Sequence, residues 1–220
     1  MTANPAVYLA GLVTEMAKHW PGNRTVNIVC HGHSVPSGYF ATPYVNTLDS
    51  YPHQILVGIK ERFPFAVVNV IVTAIGGENS YQGAERFETE VLCHRPDVIT
   101  IDYALNDRGL GLAQAGASWR KMILAAQARE VPLILLTPTM DQFAIRSGNP
   151  ASTRELEAHA AQVRGLADEF GLGLADSYAA FTDYIQSGGH LYDLLSHVNH
   201  PNQLGHSLVA REVLRYFPAQ

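Results

Sequence analysis

The chain has 220 residues, enough for one domain with one large core over residues 1–220. Its net charge of −5, with histidine neutral, argues against the basic face that a general nucleic-acid binder needs. Hydrophobic residues make up 47% and charged residues 16%, which excludes a disordered composition.

The two cysteines, Cys30 and Cys93, form no metal-finger or disulfide framework, and Cys30 sits in an apolar run as a small buried residue would. Residues 1–20 lack the basic start and unbroken apolar block of a secretion signal, since Glu15 and Lys18 interrupt them. No segment approaches the roughly 20 apolar residues that cross a membrane. The expectation is a soluble, cytoplasmic protein. Oligomeric state is not legible.

In chain order, Val7, Leu9, Leu12, Val13 and Met16 predict a helix over about 5–19, broken by Pro21-Gly22-Asn23. Thr25 to Cys30 predicts a first buried strand. It runs into His31-Gly32-His33-Ser34, and a loop from Ser34 to Pro43 follows. A helix is expected over about 52–62. The β-branched run from Phe65 to Ala74 predicts a second strand, covered on both faces. It ends at Gly76-Gly77-Glu78-Asn79-Ser80, with a helix over about 83–94 after it. Asp97 to Tyr103 is a third strand, ending at Ala104-Leu105-Asn106-Asp107. A helix over about 114–130 precedes a fourth strand, Pro132 to Thr137, which leads to Asp141. Ser152 and Glu155 have capping-box spacing for a helix that ends near Phe170-Gly171. A short fifth strand over 172–175, a helix over about 178–186 and a last helix from Gln203 to about Tyr216, capped by Asn202, complete the chain.

Alternating strands and helices imply parallel strands joined by right-handed crossovers, hence an α/β/α three-layer sandwich. In such a sheet, ligands bind at the carboxyl ends of the strands. His31, His33 and Ser34, then Gly77, Asn106 and Asp141, all leave strands at that edge. The loop His197-Val198-Asn199-His200-Pro201-Asn202 precedes the last helix. A serine hydroxyl needs a base within hydrogen-bond reach, and histidine titrates in the right range. Glycine-loop N–H groups and a side-chain amide are suited to stabilise an oxyanion. Beside this, Asp107 is expected to brace its loop, Glu78 to make local hydrogen bonds, His206 to be structural and Trp119 to be core.

These four blocks, in this order, resemble those of the SGNH hydrolases, the GDSL-like lipases and esterases. The resemblance implies a flavodoxin-like sheet of order 2-1-3-4-5. It implies Ser34 as nucleophile, His200 as base, and an oxyanion hole from the Ser34 and Gly77 backbone N–H groups and the Asn106 amide. It implies a serine esterase, without metal or other cofactor, acting on a small ester of a lipid, an acetylated sugar or a related acyl compound. Two positions depart from the family pattern. The family usually has Asp before the serine, where this chain has His33. The triad acid usually lies three residues before the catalytic histidine, where this chain has His197. His197 is the expected occupant of the third triad position; Asp193 or a backbone carbonyl are the alternatives for orienting His200. A neutral group there is costly: in another serine hydrolase, neutralising the acid lost about 10⁴-fold. Two readings compete with the esterase. One is a metal-dependent hydrolase using His31, His33, His197 and His200. The other is a catalytically weakened ligand-binding relative.

Overall fold

The computed structural model describes residues 1–219. Its elements are α1 (Ala10–Met16), β1 (Thr25–Gly32), α2 (Ser34–Ser37), α3 (Tyr51–Arg62), β2 (Val67–Val72), α4 (Ser80–Glu90), β3 (Val98–Asp102), α5 (Leu112–Gln127), β4 (Leu133–Leu136), α6 (Phe143–Ser147), α7 (Ala151–Phe170), β5 (Gly173–Ala175), α8 (Ser177–Gln186) and α9 (Gln203–Leu214). The five strands are parallel, in the order β2-β1-β3-β4-β5. This is the expected sandwich and strand order.

Side-chain alternation along the strands splits the core between the two faces of the sheet. Ile28, Cys30, Ile134 and Leu136 pack on one face with Ile55 and Ile59 of α3, Phe181 of α8 and Val209 and Val213 of α9. Val29, Ile99, Ile101 and Leu135 pack on the other with Phe87 of α4, Trp119 and Met122 of α5 and Val163 of α7. Each such fully buried side chain contributes roughly 1.5–3 kcal/mol relative to exposure. The interior strands β3 and β4 are buried along their whole length.

Three expectations need correction. β2 is not covered on both faces; Val67 and Val72 are exposed. The strand order puts it at the sheet edge, so its β-branched composition reflects strand geometry more than burial. α4 starts at Ser80, three residues early, because Asn79 accepts from the Gln82 backbone while the Gln82 side chain accepts from the Asn79 N–H. The Ser152/Glu155 box does not form. α7 begins at Ala151, whose N–H donates to the Asn149 side chain, so Ser152 already lies inside the helix. Smaller shifts trim the first helix to α1 and add α2 and α6 in stretches expected as loop.

Candidate active site

β1 runs into α2 with a single residue, His33, between them. Gly32 has no room for a side chain: a Cβ there would overlap the Asp102 carbonyl on β3. That close approach brings the β1 end against β3 and sets Ser34 as the first residue of α2. The His33 ring caps this helix, its Nδ1 accepting from the Val35 N–H at 3.1 Å. Ser34 is held almost buried, 5% exposed.

α2 ends at Gly38, whose φ of +83° is left-handed and whose missing Cβ leaves space for the Asn46 carbonyl. The chain then doubles back. Asn46 N–H donates to the Gly38 carbonyl, Phe40 N–H donates to the Tyr44 carbonyl, and Tyr39 bridges Val45. This fold-back aims the Phe40 carbonyl at the last loop.

His200 lies in that loop, 7% exposed. Its position is set locally: the Ser196 N–H donates to the His200 carbonyl, and Leu195 bridges Pro201. The ring links two distant segments. Nε2 lies 3.1 Å from Ser34 Oγ and Nδ1 lies 2.9 Å from the Phe40 carbonyl oxygen. A carbonyl only accepts, so Nδ1 carries the proton and Nε2 presents its lone pair to the serine hydroxyl. Burial lowers the His200 pKa; the Phe40 carbonyl opposes this, and the neighbouring His33 and His197 reinforce it. The imidazole is therefore neutral, the form a base requires.

The expected role of His197 is corrected by this geometry. His197 is exposed, and the Nδ1 partner of His200 is the Phe40 carbonyl. Asp193 does not reach in: its carboxylate accepts from the His190 N–H and the Tyr184 hydroxyl, closing a turn at 190–193. The backbone-carbonyl alternative is the one realised.

Gly77 and Asn106 converge through Glu78. The Asn106 amide donates to the Glu78 carbonyl at 2.7 Å, tying the third-strand loop to the second. Among the described residues, the second amide hydrogen has no protein acceptor, and neither the Ser34 nor the Gly77 backbone N–H donates to a protein group. Gly77 has φ +84° and a Cβ there would meet only open space, so this glycine serves backbone conformation. Gly76 differs: a Cβ there would press on the Tyr39 ring, itself 5.8 Å from the His200 ring.

A partly buried polar strut holds this glycine loop. Glu78 accepts from Arg86 of α4 through two nitrogens and from the Tyr103 hydroxyl at 3.1 Å. Tyr103 also meets His31 Nε2 at 3.1 Å, and His31 Nδ1 meets the Thr73 hydroxyl at 3.0 Å. Burial pushes the His31 pKa down to about 3, aided by the Arg86 charge. His31 is thus a neutral structural group. Asp107 does brace its loop, accepting from the Ser80 N–H and the Trp119 indole. His206 is buried and accepts from the Tyr51 N–H. Asp141 pairs with Arg108 at 2.5 Å and accepts from the Phe143 N–H.

The competing His-cluster reading lacks a centre. His31 and His200 are committed to the bonds above, and among the described residues no three His, Cys, Asp or Glu side chains are grouped to hold a metal ion. Phe40, Arg86 and Tyr103 were not legible as site residues. A backbone carbonyl leaves no residue-type signature, and Arg86 in α4 and Tyr103 just after β3 sit in stretches whose patterns look ordinary.

The profile of the GDSL-like lipase/acylhydrolase family matches residues 30–208, and the chain belongs to that family. It is a hydrolase acting on ester bonds. An acetylxylan esterase of Geobacillus stearothermophilus is 24% identical over 176 residues, covering 73% of this chain and 77% of that protein. The crystal structure of an acetylxylan esterase from the same organism superposes with a TM-score of 0.75 at 20% identity, over 89% of this chain and 95% of that one. An alpha/beta hydrolase from the metagenome of Lake Arreo, Spain, superposes at 0.73 with 20% identity, over 90% and 96%. These two likenesses concern the fold.

Among the described residues, no helix is long and apolar enough to cross a membrane.

Proposed function

We propose that this enzyme hydrolyses a small carboxylic ester through an acyl-enzyme on Ser34. The observation that carries this is the contact of Ser34 Oγ with His200 Nε2 at 3.1 Å, with the opposite ring nitrogen anchored on Phe40. His200 takes the Ser34 proton as Oγ attacks the ester carbonyl. The tetrahedral oxyanion is met by the Ser34 and Gly77 backbone N–H groups and the Asn106 amide. Collapse breaks the bond to the alcohol oxygen, which leaves with the proton from His200. Water, deprotonated by His200, then attacks the acyl-serine, releasing the carboxylic acid and restoring Ser34.

The third member is a neutral carbonyl. It fixes the tautomer but brings no full negative charge to the imidazolium formed at each step, so the base is weaker than a carboxylate-backed one. The acyl group is short, acetyl for preference, and the alcohol is a sugar hydroxyl; the acetylxylan esterase relative supports this choice. The test is hydrolysis of p-nitrophenyl esters of graded acyl length and of acetylated xylose oligomers by the wild type and Ser34→Ala. Hydrolysis greatest at two carbons and abolished by Ser34→Ala is expected. An equal rate in Ser34→Ala overturns the nucleophile.

A further inference from the structure

His33 replaces the acid that members of this family usually carry before the serine, and its ring spans the nucleophile. Three contacts fix it. Its backbone N–H donates to the Asp102 carbonyl at 3.2 Å. Its Nδ1 accepts from the Val35 N–H, on the far side of Ser34. Because Nδ1 accepts, the ring proton of neutral His33 sits on Nε2, and Nε2 lies 3.4 Å from Asp102 Oδ1. That separation exceeds a full hydrogen bond, and Nε2 has no other partner. The attraction is therefore mainly that of a carboxylate for the N–H dipole in a water-poor site, where charge acts strongly. Both groups are buried, at 0% exposure for His33 and 4% for Asp102.

The surroundings of Asp102 are polar and incompletely paired. Thr100, two residues earlier on the same face of β3, and Tyr51 at the start of α3 bury hydroxyls that lack partners. The charge of Asp102 adds to burial in raising the pKa of both the Tyr51 hydroxyl and the Cys30 thiol. Asp102 is in register with Gly32, two positions before the nucleophile. An aspartate at position 33 would cap Val35 by itself. In this chain the acceptor follows β1 and the acid stands at the end of β3.

We propose that Asp102 is a positioning residue for the reaction at Ser34: through the Nε2–H of His33 it keeps Nδ1 free to hold the Val35 N–H, and so fixes the turn that carries Ser34 and its N–H. The tautomer with the proton on Nδ1 would set two donors, Nδ1–H and Val35 N–H, against each other and loosen that turn. This inference rests on the serine esterase reading of the same site.

The test compares wild type, Asp102→Asn, His33→Asp and the double variant on p-nitrophenyl acetate. Asp102→Asn keeps the size and removes the charge; kcat is expected to fall about 10- to 100-fold with KM changed less than about two-fold, the pattern for loss of a transition-state interaction. His33→Asp alone places two carboxylates together and is expected to fall at least as far. In the double variant, one acid again stands beside the serine, and kcat should return to within about five-fold of wild type, a coupling that independent sites do not show. Wild-type kcat in Asp102→Asn, or a double variant no better than the worse single one, overturns the proposal. Should Asp102→Asn fail to fold, ¹⁵N NMR of the wild type reads the His33 tautomer directly. A proton on Nε2 is required, and a proton on Nδ1 overturns the proposal. An inactive wild type with Ser34 unlabelled by a fluorophosphonate defeats the esterase reading instead, whatever the Asp102 variants do.

Discussion

His200 Nδ1 lies 2.9 Å from the carbonyl oxygen of Phe40, a residue 160 positions earlier in the chain. The bond makes the base depend on a folded-back loop, and it leaves His197 without that role. His197→Ala is therefore expected to keep kcat within about three-fold of wild type, far from the roughly 10⁴-fold loss seen when a triad acid is neutralised. A loss of 100-fold or more, measured on a short p-nitrophenyl ester with the fold intact by circular dichroism, would return His197 to the catalytic set.

The sign of the His200 shift sets the acid limb of the rate profile. Burial lowers its pKa, so the base stays neutral to a lower pH than a free histidine, whose pKa is about 6.5. The rate should fall as pH drops through this lowered value, placing the midpoint of kcat/KM below about 6.5. Removing His197 takes away one of the lowering influences, so the midpoint should move upward in His197→Ala. A midpoint above 7 in wild type contradicts the buried, neutral base.

The Asn106 amide holds the Glu78 carbonyl with one hydrogen; in the proposed reaction the other meets the oxyanion. Asn106→Ala is expected to lower kcat by about 100- to 1000-fold, the usual cost of one oxyanion donor. KM should change little, since the charge develops only in the transition state. Steady-state kinetics on wild type and variant check both.

Much of this arrangement was legible in the sequence, for identifiable reasons. Strands β1, β3 and β4 announce themselves as short runs rich in Val, Ile and Leu, interrupted by Asn27 and Thr100, because they are largely buried on both faces. Ser34, Gly77, Asn106 and His200 stand out as candidates because each follows a strand or precedes a helix, in the order of the family's blocks. What was missed was encoded in backbone or in pairing. Phe40 contributes a carbonyl, which any residue at that position would supply. Its placement depends on Gly38 and on the 38–46 fold-back, a loop whose path no periodicity reports. The β2 run misled because β-branched residues suit an exposed edge strand as well as a buried one. The Ser152/Glu155 spacing misled because the helix already starts at Ala151, whose N–H donates to the Asn149 side chain.

His31 and His206 are buried and neutral, each with its pKa pushed down to about 3 chiefly by desolvation. A histidine depressed in the folded state contributes its full stability above the unfolded pKa of about 6.5 and loses it as pH falls toward 3. Each should cost up to about 1.4 kcal/mol per pH unit within that window. Urea unfolding at pH 7, 5.5 and 4.5 is expected to show a falling midpoint. The fall should be smaller in His206→Asn, if that variant folds. A midpoint independent of pH across this range contradicts the assignment.

Gly83 lets α4 pack against Tyr103, the residue after β3: a Cβ there would overlap the Tyr103 ring and hydroxyl. Gly83→Ala should displace Tyr103 from Glu78 and His31, loosening the Gly77 loop. Overpacking of this kind costs about 1–3 kcal/mol, read as a lowered thermal midpoint. An unchanged midpoint and rate would show that the strut does not constrain the loop.

The central claim is that Ser34, activated by His200, is the nucleophile. Intact-mass spectrometry after treatment with a fluorophosphonate, followed by peptide mapping, tests it most directly. One adduct on the peptide containing Ser34 is expected in wild type, formed at least about 100-fold more slowly in His200→Ala and absent in Ser34→Ala. An adduct elsewhere, or none in a wild type that hydrolyses esters, contradicts it.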